Sequence, residues 1–242
     1  MRLMQPLVAV LAASALCLSS AQAQSLSHEE MFTRLSALAS TGNADVQYNL
    51  GMFLNNGIGA TADHHAAFRH FMAAAQAGHA LAAYKVGCYL AGQFPGTVAV
   101  NDAEALKFKL RAAEAGYELA QLDVGIHFLR QRDDAHAEFW WERASRQGNK
   151  QATAYLARQW SAPSSPDKAK GYALMLLLRN MAPAGNEALL TRINSLASEL
   201  PDSDKARAEA LQATWFTGKT PLSIQARAGI GAVPSLIASL GG

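Results

Sequence analysis

The chain has 242 residues, of which 50% are hydrophobic and 17% are charged, and its formal net charge is +2. This balance is typical of a folded globular protein and excludes an intrinsically disordered chain. So small a net charge also argues against nucleic acid or an anionic membrane surface as the partner.

The first 23 residues have the pattern of a secretory signal peptide. Arg2 gives a positive start, residues 7–18 are almost entirely apolar, and Ala21-Gln22-Ala23 is a small-x-small cleavage site. No later stretch approaches the roughly 18 apolar residues that a spanning helix needs. We therefore predict an exported protein that is not membrane-spanning, with the periplasm as its destination and secretion as the alternative. A lipid anchor on Cys17 is disfavoured because Leu16 is a poor residue to precede it.

Residues 24–43 are predicted to form an N-terminal capping helix. Ser27 is a suitable N-cap, and Glu29 and Glu30 in the first turn interact favourably with the helix dipole. The apolar residues of this helix are Met31, Leu35 and Leu38. We expect them to cover the open end of the segment that follows.

The central part of the chain repeats one pattern three times. Glycines of a first set recur 36 and 38 residues apart. Each glycine of a second set ends a similar alanine-rich segment, and an alanine stands eleven residues before each second-set glycine. The positions are Gly51, Gly87 and Gly125 in the first set, Gly78, Gly116 and Gly148 in the second, and Ala67, Ala105 and Ala137. Repeats of this length are typical of solenoids, in which neighbouring units bury each other's apolar faces.

The spacing within each unit predicts two helices. Val46, Leu50 and Leu54 have helical periodicity, and the small residues let the paired helices approach closely. The second-set glycine follows an apolar helix, where a left-handed turn favours glycine. Each unit is therefore predicted to be helix, loop, helix and tight turn.

These motifs resemble Sel-one-like repeats, which are tetratricopeptide-like helical units. The resemblance rests on the Leu50-Gly51 pair, the Gly57-Ile58-Gly59 loop and the closing Ala-Ala-x-x-Gly phrase, and it covers residues 44–160 well. It implies an all-α, right-handed superhelical solenoid of about four helix pairs with helical caps. The array is assigned to residues 44–181 and a closing helical hairpin to residues 182–216.

Three features depart from the repeat pattern. Ala157 stands where a fourth glycine is expected, so the fourth unit is a degraded copy. The loop at residues 91–101 is long and the loop at residues 130–134 is short. Such loops are candidate specificity sites, and the alternative is tolerated length variation.

The C-terminal segment, residues 217–242, is rich in glycine and apolar residues. A segment of this composition either is disordered or docks through residues 230–240 onto an apolar groove of the array or of a partner.

A search for chemistry in the sequence yields no catalytic, cofactor-binding or metal-binding residue. Residues 28–32 begin like a zinc-protease helix but lack its second histidine, and residues 218–220 lack the earlier glycine of a phosphate-binding loop. The spacing of His64, His65, His70 and His79 matches no tight ligand pattern. Cys88, which would be the single cysteine of the exported chain, is interpreted as buried.

Trp140 and Trp141 are the candidate partner-binding residues. Adjacent helical positions point in different directions, so Trp140 is expected in the core and Trp141 on the surface, although Trp141 can instead pack on the fourth unit. We predict a scaffold or adaptor that binds a protein or peptide partner in an envelope-associated complex. The alternatives are binding or processing of a cell-wall-derived ligand, and action as a secreted effector.

Overall fold

The computed structural model describes residues 26–182 and 185–241, so the predicted signal peptide lies outside the described residues. The described part is all-helical, which confirms the predicted fold class. Its helices are α1 (His28–Leu38), α2 (Ala44–Asn56), α3 (His64–Gln76), α4 (Ala80–Leu90), α5 (Asp102–Glu114), α6 (Glu118–Arg130), α7 (Asp134–Arg146), α8 (Lys150–Trp160), α9 (Lys168–Met181), α10 (Glu187–Glu199), α11 (Asp202–Thr214), α12 (Pro221–Ala228) and α13 (Val233–Gly241). None of these helices is long and apolar enough to cross a membrane.

Four helix pairs form the body of the solenoid, namely α2/α3, α4/α5, α6/α7 and α8/α9. Every helix from α2 to α9 packs on the helix before it and the helix after it in the chain. The first helix of one unit also contacts the N-cap residue of the next first helix. Tyr48 stacks on His79 at a ring distance of 4.4 Å, and Tyr84 contacts Tyr117 at 5.0 Å. The units therefore stack in one direction and close a continuous core.

The helices begin where the sequence supplies a polar capping side chain. An asparagine or aspartate side chain accepts a backbone hydrogen bond at the start of most helices of the array. These N-caps are Asn43, Asp63, Asn101, Asp133, Asn149 and Asp167. His79 caps α4 in the same way, through its Nδ1 atom.

The two glycine sets serve different purposes. First-set glycines allow paired helices to touch: a Cβ atom added at Gly125 would lie 2.4 Å from the Trp141 ring, and one at Gly51 would lie 2.6 Å from the Phe71 ring. Second-set glycines turn the chain, with φ of +92° at Gly78, +97° at Gly116 and +86° at Gly148. Residues with a side chain rarely adopt this left-handed conformation.

In the fourth unit the glycine of the helix contact lies on the second helix and not on the first. The first three units place glycine on the first helix and alanine on the second, whereas this unit has Ala157 on α8 and Gly171 on α9. A Cβ atom at Gly171 would lie 2.5 Å from the Trp160 carbonyl oxygen. Close packing of the two helices is thus kept although the motif is broken.

Both ends of the array are covered. At the N-terminal end, α1 buries Met31 and Leu35 against the first unit, and its start lies directly on the loop at Gly59. At the other end, α11 packs on α9 through Ala208, and Trp215 is buried beyond it.

The segment after the closing hairpin folds back on the array. Residues 217–241, here called the C-terminal strap, comprise α12, a 3-10 turn (Gly229–Ala232) and α13. Val233 is fully buried and Ile237 is 5% exposed, in a cluster with residues of α1 and α2. Of the two alternatives stated for this segment, the structure therefore has the docked one.

Candidate functional site

The structure buries both tryptophans that the sequence marks as binding residues. Trp141 is 2% exposed, stacks on Tyr155 of the fourth unit at 4.5 Å and donates from Nε1 to the Leu122 carbonyl oxygen at 3.3 Å. Trp140 is 6% exposed and packs on the second unit beside Ala112. Of the two alternatives stated for Trp141, the structure has packing on the fourth unit and not exposure at the surface, because the fourth unit covers this face of α7.

The exposed aromatic side chain of α7 is Phe139. It is 49% exposed, and the guanidinium group of Arg143 lies 4.6 Å from the centre of its ring. Residues 139 and 143 are one turn apart and lie on the same face of α7. The sequence could have indicated that Phe139 is exposed. Trp140 and Trp141 pack on neighbouring units, and Phe139 is the remaining aromatic residue of α7.

A cavity of about 450 Å³ opens between the second and third units. We call it the inter-unit cavity. It lies against α5 and α6, beside the end of α4. Its lining residues are Ala91, Asp102, Ala105, Leu106, Lys109, Asp123, Ile126, His127, Arg130 and Gln131.

One wall of the inter-unit cavity carries an ion pair that joins the two units. The ammonium group of Lys109 lies 2.7 Å from a carboxylate oxygen of Asp123, and their side chains are only 18% and 28% exposed. The Tyr84 hydroxyl group donates to the same oxygen at 3.4 Å. Burial raises the pKa of Tyr84 well above its usual range, so the phenol stays a neutral donor. The arrangement is a partly buried polar surface beside the apolar side chains of Leu106 and Ile126.

Both loops of unusual length contribute residues to the lining of this cavity. Ala91 begins the long loop of the second unit, and Gln131 lies in the short loop of the third. The long loop is held by Phe94, which stacks on Tyr89 at 4.3 Å. Near its end, Val100 is 62% exposed.

The histidines singled out in the sequence have separate structural contacts. The His64 ring lies 4.5 Å from the Phe94 ring in a tilted arrangement. His70 Nδ1 lies 2.6 Å from the Gln47 side-chain oxygen, and His79 caps α4. Within residues 26–182 and 185–241, no group of three or more His, Cys, Asp or Glu side chains could hold a metal ion.

Cys88 lies in the core of the second unit and is 7% exposed. Burial raises the pKa of its thiol, although the nearby Lys109 acts in the opposite direction. A buried thiol that stays protonated is a poor nucleophile, and this agrees with a packing role.

The helix pairs of the first three units coincide with a known repeat. A family model described as the Sel1 repeat matches residues 44–79, 80–117 and 118–149. Three consecutive segments of the chain therefore match the Sel1 repeat. Each match begins at the first helix of a unit and ends next to its closing glycine turn, as the family resemblance of the sequence implies. Sel1 repeats are commonly found in protein–protein interaction scaffolds.

A solved structure shares this fold. A Sel1 repeat protein from Oxalobacter formigenes has a TM-score of 0.60 and 24% identity over 70% of this chain and 49% of that one. A protective antigen present in uropathogenic Escherichia coli strains, displaying an SLR fold, has a TM-score of 0.48 and 18% identity over 81% of this chain and 50% of that one. The chain thus spans about half the length of these two proteins. No curated protein matches it.

Proposed function

We propose that this Sel1 repeat protein is an exported scaffold that binds a protein or peptide partner at the inter-unit cavity, as part of an envelope-associated complex. The observation that carries the proposal is the position of this cavity. Two repeats form its walls, and each of the two loops that depart from the repeat pattern contributes lining residues, Ala91 from one and Arg130 and Gln131 from the other. Loops on a rigid repeat scaffold are where binding specificity commonly arises.

The chemistry of the cavity suits a peptide that carries an apolar side chain between polar groups. Leu106 and Ile126 offer apolar surface, while the Lys109–Asp123 pair and the exposed Arg130 offer polar contacts. An apolar pocket with a few fixed polar groups is the usual form of a binding site.

Photo-crosslinking from the rim tests the binding site. A photoreactive amino acid replaces Arg130 in one variant and Glu209, an exposed residue of α11, in the control. We expect a discrete adduct in intact cells from position 130 only, and its loss when Gln131→Glu is added. Equal adducts from both positions, or none from position 130 in a folded and abundant protein, would exclude the cavity as the binding site.

Export is supported by the charged start, apolar stretch and small-x-small site of residues 1–23. Cell fractionation with N-terminal sequencing tests it. We expect a processed chain that begins at Gln24 in the periplasmic fraction. A full-length chain retained in the cytoplasm would refute export without affecting the proposal for the cavity.

A second candidate function is binding of a small cell-wall-derived ligand. The volume of about 450 Å³ and the convergence of Lys109, Asp123 and Arg130 at one cavity favour it. Calorimetric titration with soluble peptidoglycan fragments distinguishes the two functions. Saturable binding that Lys109→Met weakens would support the ligand, whereas no heat change at millimolar fragment would leave the protein partner as the proposal.

A further inference from the structure

The C-terminal strap crosses the ends of the repeats in the direction opposite to the array. It begins at the third unit, where the backbone N–H of Thr217 donates to the Arg146 carbonyl oxygen at 2.9 Å. It then passes the closing turn of the second unit at Gly116 and ends on α1, where α13 docks. One segment therefore connects three parts of a solenoid whose units otherwise contact only their neighbours.

The first contact region, here called the polar anchor, lies at two closing turns. The Thr220 hydroxyl group donates to the Gly116 carbonyl oxygen at 2.9 Å. The Ser223 hydroxyl group lies 2.8 Å from the side-chain oxygen of Gln147, and the Lys219 ammonium group donates to the Gln147 carbonyl oxygen at 3.0 Å. Ser223 is 1% exposed. The strap is therefore held by specific hydrogen bonds at the polar anchor.

The polar anchor also contains a carboxylate that is 8% exposed, that of Glu118. It forms an ion pair with Lys219, and Arg227 lies 3.7 Å away. The backbone N–H of Glu118 donates to the Ser223 hydroxyl group at 3.1 Å. A carboxylate so buried needs charged or hydrogen-bonding partners. Lys219 and Arg227 of the strap are these partners for Glu118.

The residues that form the polar anchor are departures from the repeat. Glu118 stands where the other units have Ala44, Ala80 and Lys150, and Gln147 stands where they have Ala77 and Ala115. Packing of the solenoid does not require polar residues there, because the first two units have alanine at both positions. Both changes are explained by the strap that they contact.

The second contact region, the apolar anchor, receives α13. Val233 and Ile237 are four residues apart and enter one cluster, while Pro234 and Ala238 face away from it. The buried partners in the array are Met31, Leu35, Val46, Leu50 and Phe53. Two apolar residues one turn apart, set into an apolar groove, are the usual way in which a groove binds an amphipathic helix.

The two anchors are joined by a partly exposed connection, in which Ile230 packs on the apolar cluster. The turn Gly229–Ala232 buries no residue, Gly229 has φ of +52°, and Ile224 of α12 is 57% exposed. The strap therefore resembles a bivalent ligand with two small contact regions and a glycine-containing linker.

We propose that the strap is a tethered ligand, and that the surface beneath it is a binding site for a partner-protein segment of the same chemistry. Such a segment presents a lysine, then two hydroxyl side chains, then a short amphipathic helix. This site shares no lining residue with the inter-unit cavity, so the proposal does not rest on the one made for that cavity. A tethered ligand acts at an effective concentration in the millimolar range, so the strap blocks weaker competitors until it is released.

The test uses the full chain and a fluorescent peptide that spans residues 217–241. Lys219→Glu with Ile237→Asp releases both anchors without changing the surface of the array, and Ile224→Asp is the matched control on the exposed side of the strap. By fluorescence anisotropy we expect the released variant to bind the peptide about 100-fold more tightly than the wild type or the control, because the tethered competitor is gone. A peptide that carries the two releasing substitutions should not bind.

Circular dichroism of each variant shows whether the array remains folded. If the released variant keeps its helicity and does not bind the peptide, the proposal is wrong. Equal binding to wild type and released variant also overturns it, since the peptide would then bind elsewhere. Should the released variant lose helicity, the milder pair Lys219→Ala and Ile237→Ala is measured with the same criteria.

Discussion

The indole N–H of Trp215 donates a 2.8 Å hydrogen bond to the hydroxyl group of Ser145, and both side chains are buried. Ser145 occupies the position that Ala75 and Ala113 have in the first two units. The guanidinium group of Arg146 lies 4.4 Å from the centre of the Trp215 indole. The third unit thus has serine in place of the repeat alanine at the position where the C-terminal part of the chain packs on it.

This hydrogen bond predicts that replacing Ser145 by the alanine of the other repeats destabilises the fold. Ser145→Ala should lower the free energy of unfolding by about 1–3 kcal/mol, because the buried Trp215 N–H loses its acceptor. Urea denaturation followed by circular dichroism measures the change. Ser36→Ala, at an exposed position of α1, is the control and should stay within about 0.5 kcal/mol of the wild type. A neutral Ser145→Ala would mean that the hydrogen bond does not contribute.

The two aromatic residues of α7 should respond in opposite ways to the same change. Trp141→Ala removes a buried ring stacked on Tyr155 and should cost about 3–5 kcal/mol. Phe139→Ala removes a half-exposed ring and should cost less than about 1 kcal/mol. Thermal denaturation of the two variants measures both. A stable Trp141→Ala variant would contradict the burial described here.

The close approach at the first-set glycines predicts overpacking. Gly125→Ala places a methyl group 2.4 Å from the rigid Trp141 ring and should destabilise the fold by about 1–3 kcal/mol. Gly231→Ala is the control, because an added Cβ atom there meets nothing within 4 Å. Chemical denaturation compares the two. Equal stabilities would show that the pair α6/α7 relaxes at no cost.

Stability should fall in mildly acidic solution because of His79. Its Nδ1 atom accepts the Ala82 N–H at 3.1 Å, and burial lowers its pKa although Asp45, 3.2 Å from Nε2, acts in the opposite direction. Because the pKa is lower in the folded state, the unfolded chain binds the proton first as the pH falls. The stability from neutral His79 is complete above its unfolded pKa of about 6.5 and decreases below it.

The repeat itself supplies the control for this pH dependence. Asn43 and Asn149 cap the first helices of other units at the equivalent position, so His79→Asn keeps a capping oxygen without a titrating group. The difference in melting temperature between pH 8 and pH 5.5 should become smaller in this variant. Part of the melting-temperature difference should remain in this variant, because burial also lowers the pKa of His70. An unchanged difference would assign the effect to other groups.

The repeat architecture could be predicted because its requirements recur along the chain. Each unit must bring two helices into contact and then turn sharply, so small residues and glycines stand at the same offsets in Gly51, Gly87 and Gly125 and in the turns that follow. Helical periodicity and polar N-caps are equally local. The sequence by itself therefore determined the all-α class, the repeat and the positions of close helix contact.

Tertiary structure alone decided which side chains meet across long stretches of the chain. The burial of Trp141 depends on Tyr155 in the next unit, and the inter-unit cavity depends on how two loops of unequal length come together. The docking of the strap depends on Glu118 and Gln147, which look like ordinary departures from a repeat until Lys219 and Ser223 lie beside them. The strap contacts join residues 76 and 101 positions apart. Each occurs once in the chain, so the repeat pattern of the sequence does not reveal them.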